Sequence, residues 1–285
     1  MSLPTTEHPA PVDDASRARR AALAALRDAV DRSTLLWRHV GDPGGRVPGL
    51  MWTSAETAAH VVGDLRDYTD ALIRRTNGDS GDVEAPSGSP SRLSAVRNGQ
   101  HLAMVQERDL RRLADMLEVQ AAHYLAVARD AIDTWAVATP NGLVLNPPTM
   151  TRLLLGEQVL HGLDIARAGH VPWSISRSDA VLVIRGVLAV APRYVHPSRS
   201  ANLRASYEIR IRGGGRYRLT VHDGTAHIAA AGEKADCIII ADPIAFLLLG
   251  YGRIPRWAPI IRGQLLAAGR KPWLAAQFAT ILTRP

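Results

Sequence analysis

Two glutamate and histidine pairs in this chain stand at a spacing that can do chemistry. Glu157 and His161 are four residues apart, and so are Glu56 and His60. On a helix such side chains rise from one face with Cβ atoms about 5–6 Å apart, close enough to grip one ion. Chance supplies roughly 0.3 such pairs in a chain of this composition, and two occur. Each pair also has an ordinary reading. Glu56 stands three residues after Thr53, the position from which a glutamate closes a capping box. An isolated Glu/His pair is commonly an exposed ion pair. What favours a metal is the apolar company: Ala58, Ala59, Val61 and Val62 surround His60, and Leu155, Val159, Leu160 and Leu163 surround His161. Taken together, His60, Glu157 and His161 make a two-histidine, one-carboxylate set with at least one open position. That is the form of a catalytic zinc site, and it also suits iron.

Helices must carry these residues. Leu23, Leu26, Val30 and Trp37 recur at helical spacing up to Val40, where a Gly/Pro-rich run ends the element. Thr53 to Glu56 opens a second helix, which runs through His60 to about Arg75. The polar run 77–90 reads as a mobile loop. From 91 to 135 the pattern is helical again, broken near Glu107 to Asp109, with Leu110, Leu113, Leu117, Ala121 and Tyr124 marking its apolar stripe. The segment 139–148 reads as a loop, and two prolines set up a last long helix from Thr149 to Ala168, closed by Gly169. Four long amphipathic helices predict a four-helix bundle, a fold that builds metal sites from facing helices.

Beyond Trp173 the character changes. A helix is expected near Asp179 to Val190, then strands at Tyr207 to Arg212 and Arg216 to Val221 around three glycines, a hairpin signal. Short strands at Ala226 to Ala230 and Asp236 to Ala241 follow, with helix expected over 243–249 and again over 263–283. Grouped strands and grouped helices predict an α+β unit. The charge divides along the same line: the chain carries +7 overall, about −2 up to Arg177 and +9 after it. Such a basic half implies an anionic partner, whether nucleic acid, a membrane surface, a small acid or the other half of the protein. In the hairpin, Arg210, Arg212, Arg216 and Arg218 share one face. Pairing Arg212 with Arg216 and Arg210 with Arg218 would set like charges against each other. A solvated face is the first reading of this patch and docking on the more acidic N-terminal half the second, since no nucleic-acid-binding motif accompanies it. The lone Cys237 excludes an intramolecular disulfide and a thiolate cluster, and reads as a small core hydrophobe. Neither a signal peptide nor a membrane span is legible, so a cytoplasmic protein is expected.

These segments carry a resemblance. Trp52-Thr53, then Ala59-His60-Val61 and Asp64, together with Glu157-Gln158-Val159-Leu160-His161-Gly162-Leu163-Asp164, resemble the two motif segments of the mycothiol-dependent maleylpyruvate isomerase family. That family has a DinB-like metal-binding bundle in its N-terminal half. The C-terminal residues Ala235 to Ile240, Asp242-Pro243, Gly252-Arg253 and Gly269 to Leu274 resemble the end of a sterol-carrier-protein-like α+β domain, found fused behind the bundle in the same family. The resemblance implies a DinB-like four-helix bundle over 13–173 and a sterol-carrier-like domain over 178–285. Its implied metal ligands are His60, Glu157 and His161. Arg253 is the position best matching an arginine that faces the metal cleft, where it would take a substrate carboxylate in bidentate fashion. Asp164 would orient a ligand imidazole. His39, His101 and His123 match no motif and are expected to be solvent-facing or satisfied in the core.

By this resemblance the chain is expected to be an enzyme that binds a divalent ion, zinc foremost, and takes mycothiol as thiol cosubstrate. A thiol with a pKa near 8.5 is mostly protonated at neutral pH, and a zinc-like ion holds it as nucleophilic thiolate. An isomerase would add that thiolate to an activated cis double bond and eliminate it after rotation. An S-transferase would displace a leaving group or open a ring. The partners would then be small molecules, with neither nucleic acid nor membrane among them. The alternative is a non-catalytic protein holding a lipid or other apolar ligand in a sterol-carrier-like groove.

Overall fold

The computed structural model describes residues 11–78, 89–230, 232 and 234–283. Five helices come first: α1 (Pro11–His39), α2 (Ser54–Thr76), α3 (Pro90–Met104), α4 (Leu110–Asp130) and α5 (Pro147–Ala168). Helices α1, α2, α4 and α5 close the expected bundle, each packing on two neighbours in the ring, and α3 lies against the outside of α2. Its core is Leu26, Trp37, Leu65, Leu72, Leu113, Leu117, Tyr124, Met150, Leu154 and Leu155, all essentially inaccessible.

Local chemistry fixes the ends of the helices that matter. The Thr53 hydroxyl accepts from the Glu56 amide at 3.2 Å, and Glu56 returns to accept from the Thr53 amide at 2.8 Å. The capping box therefore uses Glu56, which among the described residues joins no metal-ligating group. The break before α4 has a cause as well. Glu107 Oε1 accepts from the amides of Arg108 and Asp109, and Asp109 caps α4 through the Arg111 and Arg112 amides, so two acidic side chains take up backbone donors that a continuous helix would satisfy internally. Asn146 caps α5 ahead of Pro147 and Pro148, whose missing N–H groups cost nothing in the first turn. The run 139–148, expected as plain loop, also carries a short strand, β2 (Val144–Leu145), which pairs antiparallel with β1 (Val137–Ala138) just ahead of the run. Most of the polar run 77–90, residues 79–88, lies outside the described residues.

The second half is α+β. After α6 (Arg177–Val190), a single 3₁₀ turn (Ala191–Tyr194) and the short α7 (Pro197–Ser200) come β3 (Arg204–Ile211), β4 (Gly215–His222), β5 (Thr225–Ala230) and β6 (Cys237–Ala241). Then follow α8 (Pro243–Gly250), α9 (Trp257–Ile261), β7 (Leu265–Ala268) and α10 (Leu274–Ile281). The sheet runs β5-β4-β3-β6-β7, with β3 and β6 parallel and every other pair antiparallel. Helix α6 packs on α5 on one side and on α8 on the other, so the buried side chains of both halves form one continuous cluster. Cys237 lies within it, fully buried. Among the described residues no helix is long and apolar enough to cross a membrane.

Two expectations need correction. Residues 263–283 are not one helix: β7 pairs with β6 before α10 begins. Apolar Leu265 to Ala268 has no period of its own, and the free edge of β6 decides its conformation. The hairpin register also differs. Arg210 faces Arg216, and Arg218 faces Glu208. The counter-charge is Glu208, which accepts from Arg210 Nε at 2.9 Å and from Arg216 Nε at 2.7 Å. Arg212 instead donates to the Gly263 carbonyl at 2.9 Å.

Candidate metal centre

Helices α2 and α5 face each other where His60 and Glu157 project. His60 Nε2 lies 3.3 Å from Glu157 Oε2, and His161 Nε2 lies 3.1 Å from the same oxygen. All three ligand atoms fall within 4.8 Å of one another. Both imidazoles are nearly closed off, whereas 27 % of the Glu157 side chain remains accessible, so the site opens on its carboxylate side. Trp52, just ahead of the α2 cap, packs its ring 5.1 Å from that of His60.

The ring nitrogens that face away from Glu157 are also engaged. His161 Nδ1 lies 3.0 Å from Asp164 Oδ2. Asp164 is itself held by Arg253, which donates from Nε to Oδ1 at 3.0 Å and from Nη2 to Oδ2 at 2.5 Å. Behind His60 the partner is a third histidine: His60 Nδ1 is 3.1 Å from His101 Nδ1, and His101 Nε2 is 2.8 Å from Asp67 Oδ2. Arg97 pairs with both oxygens of Asp67. An ionised, arginine-bound carboxylate can only accept, so each imidazole nitrogen facing one carries the proton. In neutral rings the proton sits on His161 Nδ1 and His101 Nε2. His101 Nδ1 is then an acceptor, and His60 donates to it from its own Nδ1. Both Nε2 lone pairs are thereby turned on the Glu157 carboxylate. Three acceptors at this separation repel unless a cation lies among them, which is the donor set of a divalent metal site.

Where protons fill that role, the electrostatics follow. Burial opposes charge on His161, but Asp164 and Glu157 overcome it and raise its pKa to about 9. Burial also opposes charge on Glu157, yet hydrogen bonds with His161 and His60 hold it well below the usual carboxylate range. For His60 burial wins and its pKa is lowered. One turn on, burial together with the charges of Glu157 and Asp67 pushes the Asp64 carboxyl well above its ordinary value. Tyr68 of α2, with Tyr194 and Tyr251 from the second half, has its hydroxyl pKa raised by burial and by the Glu157 charge. Both halves of the chain therefore build the surroundings of Glu157.

His60, Glu157 and His161 are brought together as expected. Arg253 is brought to the same place, with three of its five guanidinium N–H groups used by Asp164 and the Tyr251 carbonyl. His101, Asp67 and Arg97 were not read as part of the site. Asp67 lies seven residues after His60, two turns along the same face of α2, and Arg97 and His101 are four apart on α3; that spacing was the available signal. His39 stays at the surface, its Nδ1 against the Leu35 carbonyl at 2.6 Å.

A helical bundle with a His-Glu-His group on facing helices, joined to a mixed α+β sheet, defines the architecture. Its fold is similar to that of mycothiol-dependent maleylpyruvate isomerase. The solved structure of that enzyme matches at a TM-score of 0.55 and 12% identity, covering 88% of this chain and 92% of that one. A histidine-to-alanine variant of the enzyme matches at 0.53 with the same identity and coverage. A ubiquinone synthesis protein described as UbiJ-SCP2 overlaps 35% of this chain and 92% of its own at 20% identity, with a TM-score of 0.29 that is too low to define a shared fold. No protein-family model and no curated protein sequence matches the chain.

Proposed function

We propose that this chain is a divalent-metal-dependent enzyme that takes mycothiol as thiol cosubstrate and acts as an isomerase or S-transferase on a small, anionic electrophile. The observation that carries the reading is the convergence of the His60, Glu157 and His161 acceptor atoms at the open side of the bundle. The fold shared with mycothiol-dependent maleylpyruvate isomerase supports the choice of cosubstrate. Zinc fits the donor set best, held by His60 Nε2, Glu157 and His161 Nε2. A bound zinc ion supplies the means to keep a thiol as thiolate at neutral pH.

The chain's own residues do the rest. Asp164 accepts from His161 and Arg253 clamps Asp164, so the imidazole keeps its orientation. The two guanidinium N–H groups of Arg253 outside these contacts are suited to a substrate carboxylate. Trp52 shields the His60 side from water. The partners on this reading are small molecules, and the setting is the cytoplasm.

The test is metal analysis of the purified protein, followed by melting with mycothiol. One divalent ion per chain, lost in His60→Ala, is expected. Mycothiol at a hundred times its dissociation constant should then stabilise the loaded protein by about 2.7 kcal/mol. A chain without the ion, or a melting curve indifferent to mycothiol, sinks the corresponding half of the reading.

A further inference from the structure

We propose that His101, a residue of α3 outside the metal triad, is the positioning residue for His60: its Nδ1 accepts a hydrogen bond from the His60 Nδ1–H and so fixes which nitrogen His60 offers to a metal. The inference rests on the metal site proposed above and concerns how one ligand is held in it.

His101 is fully buried and both of its ring nitrogens are engaged, with His60 at 3.1 Å and with Asp67 at 2.8 Å. A histidine merely satisfied in a core needs one such partner and no particular order of protons. Here the order is forced from the far end. Arg97 holds Asp67 ionised, Asp67 accepts a hydrogen bond from the Nε2–H of His101, and His101 Nδ1 is left with a lone pair aimed at His60. His60 can meet it only by donating, and its Nε2 lone pair then faces Glu157.

The backbone makes room for this arrangement. A Cβ placed on Gly63 would stand 2.7 Å from the His101 ring, nearer than real Cβ contacts come. Gly63 is three residues after His60 on the same face of α2, so the missing side chain lets α3 bring His101 in behind the ligand. The other ligand has the matching device in a shorter form, because Asp164 accepts directly from both His161 and Arg253. Each histidine is thus backed by an Arg–Asp pair, one directly and one through an interposed imidazole. Outer-shell partners of this kind typically alter metal affinity 10- to 100-fold.

The experiment compares zinc affinity, by chelator competition on the full chain, for wild type, His101→Phe and His101→Asn. Phenylalanine fills the buried space without an acceptor; asparagine sets an amide oxygen about where Nδ1 stands. His101→Phe is expected to bind zinc 10- to 100-fold more weakly, with His101→Asn recovering most of the loss. A phenylalanine variant that binds as tightly as wild type overturns the proposal, and so does an asparagine variant as weak as phenylalanine. Should the phenylalanine variant fail to fold, the asparagine variant and the ¹⁵N spectrum of the wild-type histidines decide. That spectrum is expected to show His101 protonated on Nε2 alone, and a proton on Nδ1, with or without one on Nε2, overturns the proposal. It also separates the two readings. A wild-type chain that binds no zinc but keeps His101 protonated on Nε2 alone ends the metal proposal and leaves the ordering of His60 by His101 standing.

Discussion

Arg253 closes on Asp164 from 89 residues away in sequence, donating through Nε and Nη2 to the two carboxylate oxygens, and Asp164 also accepts a hydrogen bond from the Nδ1–H of His161. A loop of the α+β half thereby reaches the bundle helix that bears the candidate ligands. Asp164 is 1 % exposed. Its desolvation alone would raise its pKa, and hydrogen bonds from His161 and Arg253 lower it instead.

Removing the guanidinium should therefore cost both stability and metal affinity. Arg253→Met leaves a buried carboxylate with one partner fewer, a change that destabilises by about 3 kcal/mol where the pair is well formed. Urea denaturation of metal-free protein measures this term, and zinc titration measures the loosening of His161. A variant as stable as wild type would mean that water replaces the arginine and that the two halves are held together elsewhere.

The His161 pKa gives metal-free protein a particular pH dependence. Its folded value, about 9, lies above the unfolded value of about 6.5. The stabilisation is thus complete below pH 6.5 and is lost as pH rises through 9, amounting to up to about 3 kcal/mol. Denaturant midpoints should fall across that window in wild type and stay flatter in His161→Gln. Zinc must displace the same proton, so its apparent affinity should rise about tenfold per pH unit from 6.5 and level off near 9. A pH-independent zinc affinity would show that His161 is not a ligand.

The glycine after His161 has a packing reason. A Cβ on Gly162 would run into the Trp173 indole, whose Nε1 donates to the Val159 carbonyl at 3.0 Å and whose face lies 5.1 Å below the Arg32 guanidinium. Gly162→Ala gains helix propensity of about 1 kcal/mol but must push the indole off α5. A net loss of about 1–3 kcal/mol is expected, read as a lowered melting temperature. A stabilised variant would show that Trp173 yields without cost.

The triad was legible because its information is local. Glu157 and His161 are one turn apart, and the capping box that starts α2 fixes where His60 sits on that helix. What lay behind the triad was hidden, because the contact of His101 with His60 depends on α3 meeting α2 at Gly63, and α3 has no strong apolar stripe to announce which way it faces. The sheet shows the same division. Strands β3 and β4 follow from their own alternation, whereas β7 is a strand only because β6 offers it an edge. The hairpin glycines identified the turn but left the register open, and a slip of two residues from that expected separates Arg218 facing Arg210 from Arg218 facing Glu208.

That register makes Glu208 the residue on which the basic hairpin depends. It is 7 % exposed, and Arg210 and Arg216, which face each other across β3 and β4, both donate to it. The hydrogen bond from Arg210 is the leading cause of its lowered pKa. In Glu208→Gln one neutral oxygen remains to serve two guanidinium groups, and opposed like charges destabilise a strand pair. Charge-assisted hydrogen bonds are worth about 1.5–3 kcal/mol each, and the arginines are partly exposed, which screens part of that. A loss of about 1–3 kcal/mol is expected, smaller at 1 M salt because the Debye length falls to about 3 Å. Chemical denaturation of the variant with urea at low and high salt measures both. A loss that salt does not change would assign Glu208 a packing role and leave the arginine repulsion to solvent.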